Sequence, residues 1–215
     1  QCQTNKRKTE LERGELAEYR MPNAPWSSIA VDFVGPYSKK TKKGNDMVMV
    51  VVCRLTKMSH FIPLKQSAKA QDIADLIIDN IFRLHGLPDE IRSDKDHWFT
   101  SQFWDQIWSR LGTTLAISTT YHHQSAGQVE RVNQELHKYL RGYLKSHKDW
   151  EVLLSTAEFA HNSSWNRSIG CSPFQLNSGF EPKAPEMLLH PEITSKGKRR
   201  NADGWLHQLT SQLER

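Results

Sequence analysis

Cysteine is scarce in this sequence. Three cysteines, Cys2, Cys53 and Cys171, stand far apart among 215 residues. Small disulfide-stabilised domains carry more cysteines at closer spacing, so the pattern argues against a disulfide framework and favours a reducing compartment. Long apolar runs are also missing. No run approaches the 18 residues of a membrane-spanning helix, so we expect no membrane partner.

An initiator methionine and a secretory signal are absent as well. The first ten residues, QCQTNKRKTE, are polar and basic, whereas a signal peptide needs an apolar stretch. We therefore expect a processed product or a piece of a longer protein. Charge is mildly unbalanced, with 29 Lys and Arg against 24 Asp and Glu and a net charge of +5. This excess permits a polyanionic partner without proving one.

Three regions follow one another along the chain. Residues 1–25 are charged and contain proline, which is typical of an N-terminal arm. Residues 26–180 alternate strand and helix patterns and form one domain. Residues 181–215 begin with a proline-containing linker that includes the basic run KGKRR. The helical spacing of Trp205, Leu206, Leu209 and Leu213 then predicts a short C-terminal helix.

The domain combines five predicted strands with helices. The strands are predicted in WSSIAVDFVG, MVMVVVCRL, KMSHFIPLK, DEIRSD and TTLAISTTY. The second shows no polar alternation, which is typical of a central strand buried on both faces. Helices are predicted in AQDIADLIIDNIFRLHG, with an apolar face of Ile73, Leu76, Ile77, Ile81 and Leu84, and in SQFWDQIWSRLG. The stretch YHHQSAGQVERVNQELHKYL is predicted to be a short polar turn that runs into a long helix, with Glu130 in the second turn of that helix. Three strands followed by alternating helices and strands indicate a mixed α/β sheet.

Three carboxylates stand out by their surroundings. Asp32 lies inside an apolar strand, where a charge is costly unless it is paired or binds a cation. Asp94 ends the strand DEIRSD. Glu130 lies early in the long helix, at the edge of an apolar stripe formed by Val129, Val132, Leu136, Tyr139, Leu140 and Tyr143. If Asp32 and Asp94 are on adjacent strands, the three acids can converge.

Converging carboxylates repel one another unless cations relieve the repulsion, and hard oxygen ligands suit Mg²⁺ or Mn²⁺. Each acid also has an ordinary structural explanation. Asp94 could be a turn or cap residue, and Glu130 a solvated residue favoured by the helix dipole. Composition and periodicity alone do not make Asp32, Asp94 and Glu130 a triad.

The words around these acids resemble those of known integrases. Asp32, Asp94 and Glu130, with 35 residues between the last two, resemble the D, D-35-E signature of retroviral and retrotransposon integrases. PWSSIAVDFVGP, IFRLHGLPDEIRSDKDHWFTSQFW and LGTTLAISTTYHHQSAGQVERVNQ are similar to gypsy-type LTR retrotransposon integrases. The resemblance runs from about Trp26 to Pro182. It implies a ribonuclease-H-like fold, a five-stranded mixed sheet flanked by helices.

The same resemblance implies the chemistry. Asp32, Asp94 and Glu130 would be catalytic Mg²⁺ ligands, with Mn²⁺ as a substitute. Water would trim the 3′ end of the element DNA, and the freed 3′-hydroxyl would then attack target DNA. Some loop residues depart from the family's words, since Lys95-Asp96 stands for Arg-Gly and His123 for a proline. These departures affect loop geometry rather than the three acids.

The flanking segments fit the family too. The stretch CQTNK resembles the end of an N-terminal zinc-binding domain, whose other ligands are absent, so we expect no zinc here. Lysines of the predicted hairpin loop SKKTKKGN and cations of the long helix are candidate phosphate contacts. The candidate DNA-binding residues are Lys39, Lys40, Lys42, Lys43, His122, Asn133, Lys138 and Arg141. A solvated face is the alternative, and Asn133 could instead support the acidic site.

Three functions are compatible with these features. The first is a retroelement DNA integrase core that binds element ends and target DNA. We expect it to act in the nucleus, after passage in a virus-like particle or preintegration complex, as a homodimer or larger multimer, with a chromatin tethering factor as a further candidate partner. The second is a domesticated integrase-derived DNA-binding or interaction module without catalysis. The third, a cellular ribonuclease H, is disfavoured by the words around Glu130.

Overall fold

A five-stranded sheet forms the centre of the protein. The computed structural model describes residues 21–94, 102–117, 129, 131–138, 140 and 150–182. The strands are β1 (Ser28–Val34), β2 (Met47–Cys53), β3 (Ser59–Leu64), β4 (Glu90–Ser93) and β5 (Thr114–Ile117). Their order is β3-β2-β1-β4-β5, with β1–β2 and β2–β3 antiparallel and β1–β4 and β4–β5 parallel. The predicted mixed sheet is confirmed.

Helices supply the crossovers that parallel strands require. From β3 to β4 the chain passes through α1 (Ala70–Ile77), a π-helical turn (Ile78–Phe82) and α2 (Arg83–His85). The next crossover contains α3 (Gln102–Leu111). Helix α4 comprises the described helical residues 129, 131–138 and 140. A 3₁₀ turn (Trp150–Leu153), α5 (Leu154–Ser163) and α6 (Pro173–Ser178) follow.

The core has two layers, one on each face of the sheet. Met49 and Val51 of β2 belong to the layer that contains Ile73 of α1 and Trp104 of α3. The alternate residues Val48, Val50 and Val52 pack in the second layer with Val132 and Leu136 of α4 and Ala157 of α5. Because both layers are apolar, all seven β2 residues are buried. The prediction of a central strand buried on both faces is confirmed.

The segment from Ala70 to Gly86 differs from its prediction as one regular helix. The π-helical turn interrupts it, and a π turn is wider than an α turn, so the residues after it change phase. Ile73, Ile77 and Ile81 remain buried, but Leu84 is 52% exposed. The placement of Leu84 on the apolar face is therefore wrong.

The apolar stripe of α4 is as predicted wherever it is described. Val129, Val132, Leu136 and Leu140 are all buried. Tyr139 and Tyr143 lie outside the described residues, as do residues 118–121 of the last predicted strand, most of the N-terminal arm and the C-terminal helix. None of the described helices is long and apolar enough to cross a membrane.

Candidate active site

Asp32 and Asp94 start from adjacent positions of two parallel strands. Val31 of β1 lies opposite Ser93 of β4 in the parallel register, and each aspartate is the next residue. Neighbouring strands lie about 4.8 Å apart. Asp32 and Asp94 therefore belong to adjacent strands, which is the arrangement that would allow the predicted acids to converge.

Asp32 belongs to the sheet face that α4 covers. Asp32 alternates with Ala30 and Val34, which pack in the second core layer with α4. Asp94 directly follows the buried Ser93, the last residue of β4. Asp32 is half-buried and Asp94 is exposed. The pair thus combines an anchored acid with an accessible one.

Asn133 joins α4 to Asp32. Its Nδ2 donates a hydrogen bond of 2.5 Å to Oδ2 of Asp32, and the backbone N–H of Phe33 donates to Oδ1 at 2.8 Å. These donors compensate the charge that an apolar strand would otherwise leave unsatisfied. Within the described part of the chain, Oδ1 of Asn133 is buried without a hydrogen-bond partner. The amide therefore keeps one acceptor available beside the carboxylate.

Glu130 lies outside the described residues, so its position relative to the two aspartates stays a prediction. Among the described residues, no three His, Cys, Asp or Glu side chains form a metal-binding group. The two aspartates on adjacent strands and the buried amide oxygen of Asn133 would supply oxygen donors only. Such a set fits Mg²⁺ or Mn²⁺ rather than a metal that prefers thiolates.

The lysine loop, residues 38–45, connects β1 to β2 at the same end of the sheet as Asp32. Lys40 lies 3.3 Å from Oδ2 of Asp46, and Lys43 lies 2.8 Å from Oε1 of Glu151. Lys39 and Lys42 are exposed. Two of the four predicted phosphate contacts therefore pair with the protein's own carboxylates in this structure.

The remaining candidate DNA contacts are distributed over α4 and the segments beside it. Lys138 is exposed on α4. His122 and Arg141 lie outside the described residues. Lys138 is thus an exposed cation on the helix that carries Asn133. DNA contact by His122 and Arg141 stays a prediction.

A histidine pair that the sequence did not single out joins β3 to α2. Nε2 of His60 lies 2.8 Å from Nε2 of His85, and Nδ1 of His60 lies 2.9 Å from Oε1 of Glu158. The indole of Trp26 stacks on the His85 ring with 3.8 Å between centroids. Burial, followed by the charge of His60, lowers the pKa of His85 to about 4. His85 is therefore neutral near pH 7.

A second network connects α4 with α5 and β3. Nδ1 of His161 lies 2.9 Å from Oε2 of Glu135, and Nε2 lies 3.1 Å from Oγ of Ser59. A Ser–His–Glu series can mark a nucleophile, but Ser59 is completely buried. The hydrogen bond from His161 is the main reason that the pKa of Glu135 is lowered. The network orients α4 rather than exposing a reactive hydroxyl.

Comparison with known proteins identifies a related sequence but no matching family model. No model of a known protein family matches the sequence. The chain is 29% identical over 196 residues to the Tf2-3 transposon polyprotein of Schizosaccharomyces pombe, and the match covers 91% of this chain. It spans 14% of the length of that polyprotein.

Solved structures resemble the fold. A chain of the simian T-cell lymphotropic virus intasome in complex with PP2A regulatory subunit B56 gamma matches 77% of this chain and 58% of its own length, with a TM-score of 0.63 and 20% identity. The HTLV-2 integrase catalytic core domain in complex with magnesium matches 72% of this chain and 98% of its own length, with a TM-score of 0.55. Its trimeric and dimeric forms are 17% and 18% identical to this chain.

The fold is therefore the ribonuclease-H-like fold of integrase catalytic cores, and the predicted five-stranded mixed sheet flanked by helices is confirmed. In sequence, the chain is similar to part of a transposon polyprotein. Together these findings support an integrase core of an LTR retrotransposon.

Proposed function

We propose that this chain is the catalytic core of a gypsy-type retroelement integrase, a polynucleotidyl transferase with associated endonuclease activity. It would trim the 3′ ends of element DNA and join them to target DNA. One observation carries the proposal. Asp32 and Asp94 follow paired residues near the carboxyl ends of the adjacent parallel strands β1 and β4, and Asp32 accepts a hydrogen bond from Asn133 of α4.

Glu130 is the proposed third acid. In the sequence it stands three positions before Asn133, a spacing at which two helical side chains share a face. Because the Asn133 amide bonds to Asp32, a carboxylate on that face of α4 would point toward the same region. The resemblance of the words around Glu130 to integrases supports the same assignment.

Mg²⁺, with Mn²⁺ as a substitute, is the proposed cofactor. Asp32, Asp94 and Glu130 would hold it, since they supply oxygen ligands only. When bound, the divalent cations would activate the attacking oxygen and stabilise the leaving oxygen of the phosphodiester. The magnesium in the HTLV-2 integrase core adds support from a protein of the same fold.

The chain's own residues orient the acidic site. Asn133 holds Oδ2 of Asp32 and Phe33 holds Oδ1, so the carboxylate of Asp32 keeps one orientation. The apolar contacts of Val132 and Leu136 fix α4 against the sheet. This arrangement presents the acids before substrate arrives, and such preorganisation is what phosphoryl transfer requires of a protein.

DNA is the proposed partner, bound mainly through its phosphates. The lysine loop and Lys138 place exposed cations at the Asp32 end of the sheet and on α4. His122 and Arg141 are proposed further contacts. Phosphate contacts give salt-dependent binding with little sequence preference.

We further propose a homodimer or larger multimer, nuclear action and a chromatin tethering factor. The dimeric and trimeric forms of the HTLV-2 core support multimerisation. The core would comprise residues 26–180. A domesticated module without catalysis is not favoured, because it gives no reason for two acids at adjacent strand ends.

Strand joining on a branched DNA that mimics the integration product tests the function. The wild-type chain is compared with Glu130→Gln in Mg²⁺ or Mn²⁺, and Asp75→Asn, which changes an exposed acid of α1, is the matched control. We expect product from the wild type and the control and none from Glu130→Gln. Equal activity in all three would remove Glu130 from the site, whereas cleavage of an RNA–DNA hybrid without strand joining would favour ribonuclease H. If no variant is active, the comparison is repeated in a longer protein that includes the flanking domains.

A further inference from the structure

The lysine loop is a closed turn rather than an open strand connection. The backbone N–H of Thr41 donates to the carbonyl of Asn45 at 2.8 Å, and the N–H of Gly44 returns to the carbonyl of Thr41 at 2.9 Å. Nε1 of Trp150, a fully buried residue, donates to the carbonyl of Lys39 at 2.8 Å. The loop is therefore attached to the 3₁₀ turn that precedes α5.

Glu151 of that turn holds the loop with its side chain. Oε1 lies 2.8 Å from Nζ of Lys43, and Oε2 accepts a hydrogen bond of 3.1 Å from Nδ2 of Asn45. The two charged partners differ strongly in exposure, since the Lys43 side chain is 78% exposed and that of Glu151 is 13% exposed. The carboxylate is thus fixed, while the ammonium can turn toward solvent.

The carboxylate does not depend on Lys43 alone. Burial by itself would raise the pKa of Glu151, but hydrogen bonds from Lys43, Thr41 and Asn45 outweigh it and lower the pKa. If Lys43 leaves, Thr41 and Asn45 still donate to Glu151. Because the lysine of this ion pair is largely exposed to solvent, the pair is weak, so a polyanion that offers phosphates at high local charge can displace Glu151 from Lys43.

We propose that Glu151 is a built-in competitor for DNA phosphate at Lys43, so that the pair opens when DNA binds. The inference rests on the DNA binding included in the proposed function, and it assigns a regulatory role to one carboxylate beside the site. Lys43 then contributes less to DNA affinity than an unmasked lysine would. Removing the charge of Glu151 restores the full contribution of Lys43 to DNA affinity.

The neighbouring pair of Lys40 and Asp46 is less suitable as a test. Oδ1 of Asp46 also accepts a hydrogen bond of 2.7 Å from the backbone N–H of Gln66. A substitution of Asp46 would therefore disturb the junction of the loop with β3 as well as the ion pair. Glu151→Gln avoids this problem, because the amide oxygen can still accept from Asn45 and Thr41.

A double-mutant cycle measures the competition directly. The wild-type chain, Glu151→Gln, Lys43→Ala and the double variant are titrated into a fluorescent duplex DNA, with EDTA present to prevent metal-dependent cleavage, and anisotropy gives each affinity. We expect Glu151→Gln to bind DNA about 1.5- to 5-fold more tightly, the range that an exposed ion pair supports. Lys43→Ala should weaken binding more in the Glu151→Gln background than in the wild type.

Two controls separate the competing explanations. Asp75→Asn removes one negative charge from α1 and reports the general effect of net charge. Glu151→Gln in the Lys43→Ala background reports the long-range effect at the loop itself. If the cycle is additive while the wild type binds DNA, the competitor role is overturned and DNA binding stands. If no variant binds DNA at either low or moderate salt, the inference and the DNA-binding part of the proposed function both fail.

Discussion

Polar groups are hydrogen-bonded at the outer edge of β3, whereas some in the described part of the chain remain without partners at the carboxyl ends of β1 and β4. At the edge, Oδ1 of Asn162 accepts from the N–H of Ser59 at 2.8 Å, and Nδ2 donates to the Ser59 carbonyl at 2.9 Å. Oε2 of Glu158 accepts from the N–H of Phe61 at 2.9 Å. Side chains of α5 thus complete the hydrogen bonding of an edge strand, which would otherwise be a template for another strand.

At the carboxyl ends of β1 and β4, some hydrogen-bonding capacity of the described side chains remains unused. Asp94 is exposed, and among the described residues Oδ1 of Asn133 is buried without a partner. The same fold therefore closes one polar region on itself and leaves the other able to accept a ligand. The difference teaches that a buried polar cluster indicates function only when its hydrogen-bonding capacity is incompletely used.

Asp32→Asn should have the largest effect on activity, because it changes an acid at the carboxyl ends of β1 and β4. The amide can still accept from Phe33, but it lacks the charge that a divalent cation requires. We expect strand joining to fall to background, while the denaturant midpoint of unfolding changes little. Asp75→Asn serves as the matched exposed control. A variant that joins strands at the wild-type rate would show that Asp32 is not a metal ligand.

Asn162→Ala should act in the opposite way, on stability alone. It leaves both the N–H and the carbonyl of buried Ser59 without their partner, and unsatisfied buried groups are costly. We expect the free energy of unfolding to fall by about 2–4 kcal/mol, measured by urea denaturation, with unchanged activity per folded molecule. Asn80→Ala is the control, because that amide bonds to Leu76 within its own helical segment. Equal losses from the two variants would argue against a special role for the β3 edge.

Local patterns predicted much of the fold. The unbroken apolar run of β2 predicted burial on both faces, and the spacing of Val132, Leu136 and Leu140 predicted the packed face of α4. Asp32 stood out because its charge is costly in an apolar strand. Each of these signals lies within one element, where periodicity links sequence to burial.

Contacts between distant segments were beyond such patterns. His60 and Glu158 are 98 residues apart, and Lys43 and Glu151 are 108 apart. A lone histidine or lysine carries no local mark of its partner, so the histidine pair and the ion pair of Lys43 with Glu151 emerged only from the tertiary structure. The π-helical turn likewise has no clear signature in AQDIADLIIDNIFRLHG, which reads as a continuous amphipathic helix.

Asn133→Ala sharpens the comparison by removing the donor to Asp32. Loss of a residue that orients a metal ligand typically lowers metal affinity or activity about 10- to 100-fold. We expect strand joining to fall by that factor and the Mg²⁺ concentration for half-maximal activity to rise. Gln134→Ala, an exposed neighbour on α4, is the control. A fall in activity without a change in Mg²⁺ dependence would assign Asn133 to another step.

The smallest expected effect is a pH dependence of stability from His85, in the closed region. Its pKa is about 4 in the folded chain and 6.5 ordinarily, so the unfolded chain binds more protons between these values. Stability should therefore fall as pH drops from about 6.5 to about 4, and this group should have no effect above that window. The effect is modest, because His85 is only half-buried and solvent screens its charge.

Urea denaturation at several pH values measures this effect. The free energy of unfolding should change less steeply with pH for His85→Gln than for the wild type. The comparison is cleanest above about pH 4.5, since the lowered pKa values of Asp46, Glu90, Glu135 and Glu151 affect stability at lower pH. Identical slopes would show that His85 binds protons equally in the folded and unfolded chain, and the contrast between the two regions would then rest on hydrogen bonding alone.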